Sequence, residues 1–548
     1  MKIAEKIDEQ KRNLLRVSAA DSDYFSYIKF LLSLRADGTQ NSQEAALIES
    51  EIAATYRLLA DEIINNDKRP VSEVSFGTSG WRGLLGKDLF VKSVKQVTQA
   101  IVDMYGTIGN SDQETRQALE VKDLTEARQR GCVVGFDNRF GGEILAEAVC
   151  SVLTANGFLV HYAGEATTGT LSAAVLKLAA AFSINLTPSH NPLEYGGFKF
   201  NAADAGPASQ VLTRIISSNA KKTIEQDLPL NDRHDPSLQR KVDALDLWKQ
   251  LVRENRNRHG LDYDSIIASF RDDSDVFVAV DCVHGASRVH IRRLFDNLES
   301  ERLVLLRSDP DVTFGGIAPE PSSKNLKQVK EVLAARKEPF KLGMIIDPDA
   351  DRIRFVDGEQ EISMNQFGAM AFHYLHEIKK KSGLLAKTVA TSNFANAIAK
   401  KLGEKIFEPP VGFKEFKPVI GKALVCFEES DGISVIGHTP EKDAYIGLLL
   451  ALDMILSLRK NISEYFIELE NEFGHYYPDR DSVAVSVHGK ELKDMLGSLR
   501  RFTAGSSITI GNKVMQVKEL ITLDGYKIIL EDDSWLMIRP SGTEPKVR

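Results

Sequence analysis

Ser189 and His190 stand side by side in the hexapeptide TPSHNP (Thr187 to Pro192), a turn that Pro188 and Pro192 stiffen. A hydroxyl beside an imidazole in a rigid turn suits a nucleophile or a phosphate carrier. The run AFSINL before it is apolar and strand-like, and LEYGGFKF after it carries two glycines and then Lys199. The serine is therefore expected on a loop leaving a sheet edge, where α/β proteins keep their chemistry. Alone, the segment is also compatible with an ordinary serine-containing surface turn.

Four other segments carry comparable chemistry. DPDADR (Asp347 to Arg352) lies between the apolar runs KLGMII and IRFV. Its alternate carboxylates Asp347, Asp349 and Asp351 converge if the chain turns, and a hard cation such as Mg2+ would relieve their repulsion. The glycine and distal glutamate of a helix-flanked calcium loop are absent. RPSGTEPKVR (Arg539 to Arg548) follows SWLMI and joins Ser541, Gly542 and Thr543 to Arg539, Lys546 and Arg548, a composition suited to a phosphate dianion. Guanidinium is the better bidentate partner, which favours Arg539 or Arg548 over Lys546. FEESDGIS (Phe427 to Ser434) follows ALVCF and offers acceptors for sugar hydroxyls, though its composition is also that of a solvated turn. FGTSGWRG (Phe76 to Gly83) sets Thr78, Ser79 and Arg82 among glycines, and Arg82 could reach a phosphoryl group on Ser189.

Together these motifs make the chain resemble the α-D-phosphohexomutases, and within them the phosphoglucomutases, from about Ser75 to Arg548. GFDNR (Gly135 to Arg139) and PVGFK (Pro410 to Lys414) agree, the latter being typical of glucose-type members. The resemblance implies that Ser189 is the phosphoserine and that Asp347, Asp349 and Asp351 bind Mg2+ together with the phosphate on Ser189. It implies that Arg82 and Lys199 flank that serine, and that Glu428 and Ser430 hold sugar hydroxyls. It further implies that Thr78, Arg352, Lys414 and Lys442 bind substrate. Arg539, Ser541, Gly542, Thr543 and Arg548 would grip the substrate phosphate. The proton shuttle is either Lys199 with a depressed pKa or His190. The implied reaction interconverts glucose 1-phosphate and glucose 6-phosphate, with glucose 1,6-bisphosphate as intermediate and activator. A phosphomannomutase, a phosphoglucosamine mutase or a catalytically silent sugar-phosphate binder are the alternatives. Two departures stand out: family members usually continue past this loop, which implies a shortened last domain, and Asp431 replaces a small or aromatic residue, which loosens the sugar assignment.

Bulk properties fit a cytoplasmic enzyme, and a monomer or homodimer is expected. The 548 residues suffice for several domains, and a net charge of -8 offers no field for nucleic acid. Four scattered cysteines suit a reduced compartment. The N-terminus lacks a signal peptide's apolar core, and the apolar run Ala444 to Leu458, broken by Asp453, reads as a buried helix and not a membrane span.

Strand-like and helix-like segments that must carry these motifs alternate along the chain: VVGFD, ILAEAVCSVLTANG, LVHYA, GTLSAAVLKLAA and AFSINL. A second cycle runs from DVFVAVDCVHGAS to the aspartate loop, and a third from TVATS through NFANAIAKKLG to ALVCF. SVAVSV, KELKDMLGSLRRF and several strands make a smaller last unit. The expected fold is α/β, a four-domain phosphohexomutase architecture of three α/β domains with mixed sheets and a smaller C-terminal α+β domain, plus an N-terminal helical extension. The boundaries read as 1–70 for the extension, 71–235 for the phosphoserine domain, 236–363 for the metal-loop domain, 364–470 for the sugar-loop domain and 471–548 for the phosphate-loop domain. One motif in each of four domains predicts a cleft between them.

Overall fold

Near-continuous apolar runs become the inner strands of parallel-rich sheets, since such strands are covered on both faces. The structure, a computed structural model, describes residues 3–16, 22–38, 40–77, 80–358, 360–487, 489–540 and 546–547. Two compact units account for it: residues 1–257, 261–361 and 438–462 form the first, and 258–260, 362–437 and 463–548 the second.

The first unit opens with three helices, α1 (Ile3–Leu14), α2 (Tyr24–Asp37) and α3 (Ser42–Asn65). Asp23 caps α2 through Ser26 N, and Asn41 with Glu44 forms a capping box on α3. Seven strands follow in one sheet: β1 (Phe76–Gly77), β2 (Gly80–Leu84), β3 (Cys132–Phe136), β4 (Val160–Glu165), β5 (Phe182–Leu186), β6 (Tyr195–Ala202) and β7 (Gln239–Lys241). Their spatial order is β1-β2-β6-β5-β3-β4-β7. The β5-β3-β4-β7 part is parallel, while β6 returns antiparallel to β5, so the sheet is mixed. Helices Val91–Gly106 and Gly142–Ala155 and the inner faces of α1 to α3 share one apolar core with it.

A second sheet holds β8 (Val276–Asp281), β9 (Leu303–Leu306), β10 (Phe340–Ile346), β11 (Ile353–Asp357) and β12 (Gln360–Ile362), ordered β12-β11-β10-β8-β9. β8 runs parallel to β9 and β10, and β11 folds back antiparallel on β10. The expected buried helix is present as Ala444–Leu458, and it belongs to this first unit.

In the second unit, β13 (Leu385–Lys387), β14 (Ile406–Phe407), β15 (Val425–Glu428) and β16 (Gly432–Val435) make a mixed sheet ordered β14-β13-β15-β16. β17 (Val483–Ala484) pairs with β22 (Lys546–Val547). β18 (Ser507–Ile510), β19 (Lys513–Ile521), β20 (Tyr526–Leu530) and β21 (Trp535–Ile538) form an antiparallel meander. Three α/β layers with mixed sheets, a smaller C-terminal α+β part and the N-terminal helices are the architecture expected from the sequence.

Two local expectations shift. The strand expected at TVATS is instead β13, just before it, while Thr388 to Ser392 turn, because the Thr388 and Thr391 hydroxyls bond each other and Glu429. SVAVSV keeps only the two paired residues of β17. Among the described residues no helix is long and apolar enough to cross a membrane.

Candidate active site

Ser189 leaves the C-terminal end of β5 with φ +59°, the left-handed region that few residues other than glycine adopt. A dense local network holds it there. Its N–H donates to Thr187 Oγ1 (2.8 Å), and Thr187 donates to Asp137 Oδ2 (2.6 Å). Burial pushes the Asp137 carboxyl up to about 6, against the pull of Arg139 and Thr187. The Arg139 guanidinium donates to the carbonyls of Ser189 (2.7 Å), Pro192 (2.7 Å), Tyr195 (3.3 Å) and Asn191. Gly197 on β6 passes so close behind that a Cβ there would lie 2.2 Å from Thr187 O.

β10 delivers the aspartates to the same place. Ala350 turns the loop at φ +52°, and ligand oxygens of Asp347, Asp349 and Asp351 lie within 4.8 Å of one another, all buried. Ser189 Oγ donates to Asp347 Oδ2 at 2.8 Å, while Asp347 Oδ1 accepts from the N–H groups of Asp351 and Arg352 (both 3.0 Å). Lys199 Nζ, from β6, reaches Asp349 Oδ2 (2.5 Å) and Asp351 Oδ2 (2.9 Å). Lys442 Nζ lies 3.2 Å from Asp351, and Arg352 Nε 3.6 Å from its other oxygen.

The electrostatics are uneven. Burial, with Asp349 and Asp351 adding to it, raises the Asp347 carboxyl far above the carboxylate range. Burial raises Asp351 too, but Lys199, Lys442 and Arg352 overcome it and hold that carboxyl far below. Asp349 Oδ1 and Asp351 Oδ1 are buried without a hydrogen-bond partner. Three convergent carboxylates, two of them with an unpartnered buried oxygen, fit a hard divalent cation such as Mg2+.

Burial pulls the Lys199 ammonium down, yet Asp349, Asp351 and Glu441 outweigh it and raise it overall. That is the reverse of the depressed pKa expected of this lysine from the sequence. His190 Nδ1 lies 3.4 Å from Ser189 Oγ, and burial, with Arg352 and Arg82 nearby, holds the imidazole well below its usual pKa. Arg82 Nη1 donates to Asn191 Oδ1 (2.7 Å), within the serine loop.

In the second unit Glu428 ends β15 and is buried, with Oε1 accepting from Gly412 N (3.0 Å). Its neighbour Glu429 instead accepts from Thr388 (2.8 Å) and Thr391 (3.3 Å). Ser430 is half-buried in the following turn, and Asp431 is buried at φ +71°. Lys414 is half-buried in the turn Phe413–Phe416. Arg539, just past β21, pairs with Asp524 (3.3 Å), whose Oδ2 also accepts from Val411 N (3.0 Å). Thr78, Ser541, Gly542, Thr543 and Arg548 lie outside the described residues.

Three models of the phosphoglucomutase/phosphomannomutase alpha/beta/alpha domains match in chain order: domain I over 73–227, domain II over 262–360 and domain III over 363–473. The chain belongs to the α-D-phosphohexomutase family. As such it is an enzyme of the isomerase class that acts on sugar phosphates. It is 27% identical to a probable phosphoglucosamine mutase of Methanosphaera stadtmanae, covering 86% of this chain and 93% of that protein. It is equally identical, with the same coverage, to a phosphoglucomutase/phosphomannomutase of Thermococcus kodakarensis. The solved putative phosphomannomutase of Thermus thermophilus shares the fold, with a TM-score of 0.68 at 24% identity over 87% of this chain and 94% of that one. Parafusin, a Paramecium phosphoglucomutase, shares it at 0.66 and 21% over 88% and 90%.

Several residues packed around this aspartate cluster carry no motif that the sequence alone marks out. Thr168, at the start of helix Thr168–Leu178, donates from its N–H to Asp349 O (2.8 Å) and from its hydroxyl to Asp349 Oδ2 (2.7 Å). Glu441 is buried beside Lys199 and accepts from Asn201 (3.3 Å). Asp443 accepts from Trp248 Nε1 (2.5 Å), pairs with His438 Nε2 (2.6 Å) and so anchors the segment that presents Lys442. The charged triplet Glu441-Lys442-Asp443 ahead of an apolar helix was the available signal.

Proposed function

We propose that this chain interconverts glucose 1-phosphate and glucose 6-phosphate through a phosphoserine at Ser189 and glucose 1,6-bisphosphate. The observation that carries the reading is the 2.8 Å hydrogen bond from Ser189 Oγ to Asp347, inside a buried group of three carboxylates and two lysines. A serine so placed is built for phosphoryl chemistry at a metal.

In the first half-reaction a sugar hydroxyl oxygen attacks the phosphorus on Ser189. The bond from phosphorus to Ser189 Oγ breaks, the sugar hydroxyl proton passes to a base, and Ser189 Oγ takes up a proton as it leaves. In the second half Ser189 Oγ, losing its proton, attacks the other phosphorus of the bisphosphosugar, turned end for end; the bond from that phosphorus to the sugar oxygen breaks, and that oxygen takes up a proton to become the product hydroxyl. Bound at Asp347, Asp349 and Asp351, Mg2+ would neutralise charge on the phosphoryl oxygens. Arg82 and Lys199 add positive charge beside Ser189. The Lys199 ammonium is engaged by two aspartates, whereas His190 stands 3.4 Å from the serine oxygen, which favours His190 as the group that gives Ser189 Oγ its proton when it leaves and takes it when it attacks. Glu428, Ser430 and Lys414 are assigned the sugar hydroxyls. Lys442 and Arg352 are assigned the reacting substrate, and Arg539 with Ser541, Gly542, Thr543 and Arg548 the resting phosphate. The PVGFK segment favours glucose, while relatives named for mannose and glucosamine phosphates keep those sugars as the comparison.

The test is intact mass before and after incubation with glucose 1,6-bisphosphate and Mg2+, with turnover of glucose, mannose and glucosamine 1-phosphates assayed in parallel. A single added phosphoryl group on Ser189, lost in Ser189→Ala with melting unchanged, is expected. A label on another residue removes the mechanism, and faster turnover of mannose or glucosamine phosphate replaces the substrate.

A further inference from the structure

The helices α1 to α3 precede residue 73, where the first family domain begins, and the mechanism above gives them no role. They nevertheless pack on the two turns that enclose Arg139, the residue whose guanidinium gathers four carbonyls of the serine loop. On one side, the Tyr56 ring of α3 lies 4.5 Å from the ring of Phe140, the residue next to Arg139. Ile63, a helix turn or two further on, presses on Gly141, with Cδ1 only 3.1 Å from where a Cβ would sit. On the other side, Arg139 lies over the Phe314 ring at 4.9 Å. That second turn is backed by α2, where Arg35 donates to Thr313 Oγ1 (3.3 Å) and Leu32 packs beside Gly316. Asn138 Nδ2 joins the two turns by donating to Asp311 O (3.1 Å). A direct contact also exists: Lys29 of α2 donates to Glu194, in the serine loop itself, at 2.7 Å. That ion pair is exposed and contributes little, so the packed rings and aliphatic groups carry the contact.

We propose that α2 and α3 are a positioning element for phosphoryl transfer, holding Arg139 from both sides and through it the backbone that sets Ser189 at φ +59°. The proposal rests on Ser189 being the phosphoryl carrier. A strained residue keeps its conformation only while its surroundings over-determine it, and here part of those surroundings comes from helices outside the family domain. Removing the support lets the serine oxygen drift from in-line alignment without touching any group that binds the sugar. Loss of alignment lowers the rate of transfer more than it weakens substrate binding.

The experiment compares Tyr56→Ala, Tyr56→Leu and Tyr56→Phe in the full-length protein. It reads the rate of Ser189 phosphorylation by glucose 1,6-bisphosphate, KM and kcat, melting, and amide hydrogen exchange of residues 187–195. Tyr56→Ala is expected to lower kcat by about 10-fold with KM nearly unchanged, well below its melting temperature, and to speed exchange in 187–195. Tyr56→Phe, which keeps the ring, restores both. Should the alanine variant fail to fold, Tyr56→Leu carries the same comparison. If melting falls while kcat per folded molecule and exchange in 187–195 stay at wild-type values, the helices are merely structural and the proposal is overturned. A wild-type protein that takes no label on Ser189 defeats the function reading instead, and the exchange measurement then decides whether α3 supports the loop.

Discussion

The serine and aspartate loops of the first unit and the segment around Arg539 in the second are built to different standards. Ser189, Lys199 and the three aspartates are each at most 4% exposed and are tied to one another by short bonds. Around Arg539, by contrast, the meander encloses a core of just three buried residues, Val517, Ile528 and Leu530, among those described, and Arg539 and Lys414 are half-buried. Charge that develops during phosphoryl transfer is best met by groups fixed in advance in a low-dielectric setting. A phosphate that is only gripped and released can be served by a guanidinium on a less deeply packed sheet. Under the proposed function, the difference would separate a part that must not move from a part that must take hold and let go.

The aspartates offer the largest test. Asp347→Asn and Asp351→Asn are each expected to slow turnover by at least about 100-fold. In chelator the two should part in stability. Asp347 is raised by burial and its carboxylate neighbours, so its charge costs folding energy at neutral pH and the neutral amide raises melting. Asp351 is held down by Lys199, Lys442 and Arg352, so Asp351→Asn leaves those cations uncompensated and lowers melting. Shifts of the same sign in thermal unfolding would erase the asymmetry within the first unit.

Next comes Arg539→Ala, expected to lower kcat/KM by about 10- to 100-fold through both parameters, since a lost anchor costs alignment as well as binding. Steady-state kinetics that show neither change would take Arg539 out of the phosphate grip. A smaller effect should follow Asp524→Asn, which keeps an acceptor for Val411 N but releases the ion pair with Arg539. A KM change of about two- to five-fold, with kcat preserved, is expected from losing one partly exposed ion pair. An effect as large as that of Arg539→Ala would mean the second unit is as tightly organised as the first.

The smallest consequence for turnover concerns Lys527. Burial, with Lys387 nearby, pushes this ammonium down to about 8, although it donates to Val389 O (2.8 Å) and lies 4.3 Å from the Trp535 ring. Its folded pKa lies below the unfolded value of about 10.4, so the unfolded chain binds more protons between the two. Stability of the second unit should therefore rise as pH climbs through that window, by at most about 3 kcal/mol. Lys527→Met should flatten the rise in denaturant titrations at pH 7.5 and 10, and an unchanged slope would show that this lysine is not the source.

The strand ends were readable because they follow from local rules. AFSINL and KLGMII stop where proline, serine and aspartate begin, and an apolar run that meets such residues has little choice but to turn. The same holds for the N-terminal helices, whose caps and apolar stripes are encoded within a few residues. TVATS misled because its β-branched composition suits a strand, whereas its threonine hydroxyls found Glu429 across the sheet.

What the sequence determined by itself was the set of turns, their chemistry and the family they mark. Tertiary structure alone decided which charges meet. Lys199 and Asp349 are 150 residues apart, Trp248 and Asp443 are 195 apart, and nothing local in either pair announces the other. The same holds for the shift of Lys199: burial alone would lower its pKa, and only the approach of Asp349, Asp351 and Glu441 reverses the sign. Turn geometry is set by neighbours along the chain, but Coulomb energy and desolvation are set by neighbours in space.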